Sequence, residues 1–254
     1  MYAKRATLLR TVIVGVLIAA LEILCRTGAI DRFTIIPPSE MMAALLSMVR
    51  NGDWFWPDLA YTARNLVAAA VSSILLGYAV GVAIHAVPRL RRALEPLLLS
   101  YYSVPTFVFY PLLIVFFGVG PLSLIALGTV FSIVAMVVST LTAIDRIPRG
   151  FLKVARVSRL TPYQAVMYVK LPAVLPHLFT GIKLAVIYSI VGVLAGEFIV
   201  STAGVGRRIA YAYNDFDNQT MYGMLLLVLS VVAAVNAALH CVERRIHQRW
   251  SRHT

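Results

Sequence analysis

Few residues in this chain could do chemistry, and they fall into two groups. The first lies within apolar runs. Glu197 is a carboxylate inside such a run, where an unpaired ionised group costs about 2–3 kcal/mol by insertion scales. It serves either a pathway through the membrane, as lining or gate, or a bond to a neighbouring helix or to Arg207 or Arg208. Glu22, near the end of the first run, either snorkels or pairs with Arg26 one turn on. Pro105 and Pro111 interrupt a third run and free backbone carbonyls that can face a pathway. Tyr101, Tyr102, Phe107 and Phe109 crowd the same stretch, as pathway walls or as helix packing. No catalytic or metal-binding set accompanies them. None of His85, His177, His240, His247 and His253 lies within four residues of another, and no CxxC or HExxH spacing occurs.

The second group is a basic stretch with helical signals. Asp145 precedes Pro148, and Lys153, Arg156 and Arg159 then follow at three-residue spacing along one ridge. Thr161-Pro162-Tyr163-Gln164 reads as a capping box. The threonine caps the Gln164 amide, the glutamine reaches back, and the proline takes the first helical position. A second helix therefore starts at Pro162 and runs to Leu171-Pro172, which ends or kinks it. The spacing predicts a short, rigid helix hairpin, too basic to enter a membrane and shaped for docking rather than catalysis.

The surrounding elements dictate where these groups sit. The 254 residues are 60% hydrophobic and 13% charged, with mean hydropathy +0.82. Soluble domains carry about a quarter charged residues, and disorder needs still less apolar content, so both classes are excluded. Apolar runs near 8–25, 65–87, 97–117, 121–144, 180–200 and 220–241 are each long enough to cross ~30 Å of hydrocarbon. Pro37-Pro38, an amphipathic segment through Met41, Met42, Leu45, Leu46 and Val49, and then Trp54 and Trp56 read as a helix lying on the membrane surface. Residues 201–219 read as a loop.

The formal charge is +12. If the N-terminus, 88–96, 145–183 and 241–254 share one side, that side carries 17 basic residues against 6 on the other. The basic excess marks the cytoplasmic side. Topology thus absorbs the charge, and no nucleic-acid partner is expected. Cys25 and Cys241 fall on opposite sides and form no bridge. The expected fold is an all-α integral membrane protein with six transmembrane helices, both termini cytoplasmic, one interfacial helix and a cytoplasmic helix hairpin. Residues 1–63 hold the first span and the interfacial segment. Residues 64–241 form the core with its loop at 145–180, and 242–254 form a basic tail.

Residues 151–181 resemble the cytoplasmic coupling loop of ABC importer permeases, E-A-A-x-x-x-G, nine residues, then I-x-L-P. The matching positions are Ala155, Thr161, Gln164, Val169, Leu171, Pro172, Pro176 and Gly181. Ala195-Gly196-Glu197-Phe198, Ser201 to Gly206, and Val104-Pro105, Pro111 and Phe117-Gly118-Val119-Gly120 are similar to segments of the branch importing nitrate, sulfonates and taurine. Lys153, Val154 and Arg159 replace the pattern's glutamate, first alanine and glycine, so the turn is expected to move to Leu160-Thr161.

The resemblance implies a permease of the bacterial inner membrane that works as a homodimer or beside a sister chain, surrounded by lipid. Cytoplasmic ATPase subunits would engage Phe151, Lys153, Val154, Ala155, Arg156, Arg159, Thr161, Gln164 and Pro172. An extracytoplasmic binding protein would deliver a small solute to a pathway involving Tyr102, Pro105, Pro111 and Glu197. No cofactor is expected on this chain. It has no GxxxxGKS/T sequence, so the partner ATPase would use the ATP. Two rival readings are a membrane anchor that binds a cytoplasmic protein through the basic hairpin, and a membrane enzyme using Glu197 with a histidine. The enzyme would need convergent polar groups inside the spans, and the sequence offers almost none.

Overall fold

The computed structural model describes residues 2–101, 104–147, 150, 157–161, 164, 168 and 171–250. Among these the regular structure is helical: α1 (Tyr2–Arg26), α2 (Pro38–Asn51), α3 (Phe55–Ala86), α4 (Pro88–Ser100), a 3-10 turn (Thr106–Phe109), α5 (Tyr110–Phe117), α6 (Pro121–Asp145), α7 (Leu171–Ile199), α8 (Val205–Asn214) and α9 (Asn218–Trp250). Among the described residues, four segments are long and apolar enough to cross a membrane: Phe55–Ala86, Pro121–Asp145, His177–Ile199 and Asn218–Arg245.

The core is the packing of α3, α6 and α7. With lipid on the outside, hydrophobicity gives helices no reason to associate, so close approach of small residues must do the work. The inner stripe of α3 accordingly runs Asp58, Thr62, Asn65, Ala69, Ser73, Gly77 and Gly81, small or polar at nearly every turn. At the centre Gly128 of α6 meets Gly192 of α7. A Cβ on Gly192 would lie 2.8 Å from the Gly128 Cα, and one on Gly128 would lie 2.8 Å from Val193. Ser189 donates to Ser132 across the same seam at 3.0 Å.

Four features differ from the sequence expectations. First, the third apolar run is not one helix. α4 ends at Ser100, and the chain resumes through the 3-10 turn into the eight-residue α5. Second, α3 begins ten residues early, at Phe55, because Phe55 is 2% exposed against Met48, Val205 and Met224. Third, α7 begins at Leu171, ahead of the run expected from 180, with Pro172 in its first turn. A proline there forfeits no intrahelical bond. Fourth, residues 205–214 form α8 where a loop was expected.

α2 does form, and it packs on α9: a Cβ on Gly223 would lie 2.8 Å from Met48 and 3.3 Å from the Leu45 nitrogen. Its first turn is fastened to α1. Glu22 accepts from Arg26 Nε at 2.6 Å, Ser39 Oγ at 2.6 Å and Ser39 N–H at 3.0 Å, which resolves the Glu22 alternative in favour of pairing. At the other end of the core, Arg91 grips Asp145 through both guanidinium nitrogens at 2.7 and 2.5 Å, tying α4 to the end of α6.

Candidate functional site

Three places carry the residues singled out above. The first surrounds Glu197, which is 1% exposed near the end of α7. The chain leaves α7 at Ile199, turns through Ser201 to Ala203 and starts α8 at Gly204, which has no side chain to cap the new helix. The cap comes from other elements. Gly204 N–H donates to Asp58 Oδ1 at 2.9 Å, Val205 N–H to Thr62 Oγ1 at 2.9 Å, and Gly206 N–H to Glu197 Oε2 at 3.0 Å. The Thr62 hydroxyl donates in turn to the Glu197 carboxylate, 2.8 Å from its nearer oxygen. Three N–H groups that a helix start leaves unpaired are thus all satisfied, and two carboxylates face the positive end of the helix dipole.

The glycines make this clamp possible. Gly204 has φ +109°, and a Cβ there would lie 2.5–2.6 Å from the Glu197 carboxylate. A Cβ on Gly206 would lie 2.7 Å from both Glu197 Cβ and the Leu194 carbonyl oxygen. Arg208 then closes the ring: Nε donates to Asp58 Oδ2 at 2.5 Å, and the guanidinium carbon stands 4.4 Å from the Trp54 ring centroid. Of the two alternatives for Glu197, the geometry supplies bonds to a neighbouring span and to backbone. Arg208 goes to Asp58 instead. Asp58 and Thr62 were missed from sequence, although a polar pair four residues apart at the head of an apolar helix is a readable signal.

The second place is the break in the third run. Pro105 precedes the 3-10 turn and Pro111 is the second residue of α5, so both stand at helix starts, where a missing N–H costs nothing. Beside the break is a cavity of about 360 Å³ lined by Tyr101, Val104, Pro105, Thr106, Phe107, Phe131 and Tyr188. Tyr101 donates to the Val130 carbonyl oxygen and Tyr110 to that of Val200, each at 2.5 Å, fixing the broken segment to α6 and to the end of α7. Glu197 does not line this cavity. Tyr102 lies outside the described residues.

The third place is the basic loop. Phe151, Lys153, Val154, Ala155 and Arg156 lie outside the described residues, as does Pro162. Around them the capping box is formed: Thr161 N–H donates to Gln164 Oε1 at 3.0 Å and Gln164 N–H donates to Thr161 Oγ1 at 3.3 Å. The expected move of the turn to Leu160-Thr161 does not occur. Arg159 itself takes φ +48°, the conformation glycine supplies in the E-A-A-x-x-x-G pattern. A residue with a Cβ in that region is disfavoured by about 1–2 kcal/mol. Arg159→Gly should therefore stabilise the protein by roughly 0.5–1 kcal/mol, read as a small rise in melting temperature. A fall of the same size would mean that the arginine side chain holds contacts worth more than the strain.

Among the described residues no group of three or more His, Cys, Asp or Glu could hold a metal ion. A small-residue core of long apolar helices, a cavity at a broken helix and a capped basic loop define the class, a membrane-spanning transport permease. Residues 73–252 match the family described as binding-protein-dependent transport system inner membrane component, and the chain belongs to that family.

Its relatives include the riboflavin transport system permease protein RibX of Chloroflexus aurantiacus, 29% identical over 63% of this chain. The match spans 60% of that relative's length. The taurine transport system permease protein TauC of Escherichia coli is 24% identical over 83% of this chain and 78% of its own. The nitrate import permease protein NrtB of Leptolyngbya laminosa is 28% identical over 76% and 68%. Among solved structures, the inward-facing MetNI methionine ABC transporter superposes with TM-score 0.65 at 21% identity, covering 77% of this chain and 99% of that one. Membership of that family makes this chain a transport component and not an enzyme.

Proposed function

We propose that this chain is the permease subunit of an ATP-binding-cassette importer that moves a small solute of the sulfonate, taurine or nitrate kind across a bacterial inner membrane. Six spans, formed by α1, α3, the broken α4–α5 segment, α6, α7 and α9, place both termini in the cytoplasm and α2 and α8 on the outer side. Residues 151–164 and Pro172 are the docking surface for cytoplasmic ATPase subunits. A second copy or a sister chain completes the pathway, and an outer binding protein supplies the solute. Pro105, Pro111 and Tyr102 border the pathway at the helix break. Glu197 acts at its outer end by holding α8.

The observation that carries this reading is the continuity of α7. One helix of 29 residues starts just past the capped loop and ends at the clamp on α8. Helices are stiff over such lengths, so a displacement at the loop tilts α7 and is delivered to the outer face. The substrate class rests on the likeness to the taurine and nitrate permeases.

The test is purification of the chain in mild detergent from its host. A cytoplasmic ATPase should come with it, and replacing residues 151–164 should abolish that association. A homo-oligomer with no ATPase would overturn the importer reading and bring forward a membrane anchor, with Lys153 and Arg159 as the substitutions responsible.

A further inference from the structure

Arg207 and Arg208 are adjacent at the outer end of the molecule and meet different fates. Arg208 is neutralised by Asp58 and covered by Trp54. Arg207 points to the other side of α8. It is half-buried, and its guanidinium carbon stands 4.6 Å from the Tyr211 ring centroid. Among the described residues it has no carboxylate within 4 Å and no hydrogen-bond acceptor. A guanidinium beside a ring and without a hydrogen-bond acceptor has unused N–H donors, and these form the fork that matches planar and tetrahedral oxyanions.

Arg207 lines a cavity of about 210 Å³ between α8 and the end of α7. At ~30 Å³ per water in the liquid, it has room for a group the size of a sulfonate or nitrate. Arg207, Tyr211 and Asn214 reach it from one stripe of α8, opposite the buried stripe of Val205, Ile209 and Ala212. Asn214 is exposed and adds an amide donor. Ser201 lines the wall but is already bonded to Ala203 in both directions. Glu197 also borders the cavity, but its oxygens accept from Thr62 and Gly206 and it is 1% exposed. Of the other ionisable groups on the wall, Glu197 is thus engaged by these bonds, and Tyr211 stands against Arg207.

We propose that this cavity receives the oxyanion group of the transported solute, with Arg207 as its charged donor, Tyr211 as the platform that holds the guanidinium in place, and Asn214 as a second donor. The proposal rests on the importer reading and narrows it to solutes bearing a sulfonate, nitrate or carboxylate-type group. An anion gains here from a charge-assisted, partly desolvated contact, and a neutral solute gains nothing comparable.

The test uses the full chain, with its ATPase where the two co-purify, in nanodiscs of zwitterionic lipid only, so that no anionic headgroup competes. Melting temperature is followed as sodium methanesulfonate or sodium nitrate is added, against sodium chloride at equal ionic strength. A ligand that binds the folded state raises the melting temperature along a saturable curve. We expect saturation in the wild type, a shift at least tenfold to higher concentration in Arg207→Gln, and an intermediate curve in Arg207→Lys, which keeps charge without the fork. Asn214→Leu is the third variant, since its exposed side chain carries no bond on which folding depends. It should weaken binding severalfold.

Identical curves in the wild type and all three variants would overturn the proposal, as would a wild-type response no greater than that to chloride. A methanesulfonate response that persists in Arg207→Gln would place the anion elsewhere and also overturn it. Anion binding needs neither ATPase nor binding protein. Its failure is therefore distinguishable from a failure to co-purify the ATPase.

Discussion

Glu197→Ala is expected to cost the protein about 2–5 kcal/mol, from buried donors left without an acceptor and a helix end that loses its facing carboxylate. In detergent this reads as a large fall in melting temperature and in the yield of monodisperse protein. The loss has two parts. The Gly206 N–H and the Thr62 hydroxyl, both buried, are left without an acceptor, at about 1–3 kcal/mol each less whatever water recovers. The start of α8 also loses a negative charge from its positive end. Glu197→Gln keeps the shape and one acceptor oxygen, and its amide can donate to Thr62, so it should fall between the two.

Gly204→Ala attacks the same joint from the backbone side. At φ +109° the conformation alone disfavours a side chain by about 1–3 kcal/mol. The new methyl would also press on the carboxylate. If Glu197→Ala melts like the wild type but no longer supports uptake, the clamp is not what this carboxylate is for, and pathway lining becomes its role.

The clamp also shows why the acids of this chain are where they are. It has 11 acidic residues against 23 basic ones, and several cap helices. Glu22 caps α2 from α1, Asp58 and Glu197 cap α8 from α3 and α7, and Asp217 accepts from Thr220 N–H at the start of α9. A helix start inside or beside a membrane cannot rely on water for its free N–H groups, and a carboxylate from a neighbour supplies what water would. Read singly, Glu22 and Glu197 look like costly charges in apolar runs. Read with the helix starts opposite them, they are the acceptors those starts require.

Local signals in the sequence carried well, and those that depended on a partner element did not. The Thr161 and Gln164 pair was legible because a capping box is complete within four residues. The amphipathic α2 was legible because its apolar residues repeat at helical spacing. α8 was not, although Val205, Ile209 and Ala212 lie on one face, because its boundaries are set by Asp58 and Thr62 more than 140 residues away. The break between α4 and α5 was misplaced for a related reason. Two prolines six residues apart fit a kinked helix as well as two short ones, and the bonds from Tyr101 to α6 and from Tyr110 to the end of α7 decide the matter. Arg159 is the opposite case, a position whose backbone keeps the glycine conformation while the residue has changed.

Thr161→Ala combined with Pro162→Gly is expected to lower ATP-driven uptake by roughly tenfold while leaving the protein in the membrane at normal abundance. Losing the threonine cap costs about 1 kcal/mol, and replacing the proline with glycine adds about as much by freeing the unfolded loop. Together they bring down the fraction of loops in docking-ready form by roughly one order of magnitude or more. The α3–α6–α7 core is held by close packing of small residues along those helices, which neither substitution touches. The effect is therefore on transmission. α7 extends ~43 Å at 1.5 Å per residue, and it can carry motion to α8 only if its loop end is gripped firmly. Uptake and ATPase activity of the reconstituted complex, measured at matched protein levels, separate the outcomes. Hydrolysis that continues while uptake falls locates the fault in the grip, as the lever predicts. Uptake equal to the wild type would mean that the capped loop does not drive α7.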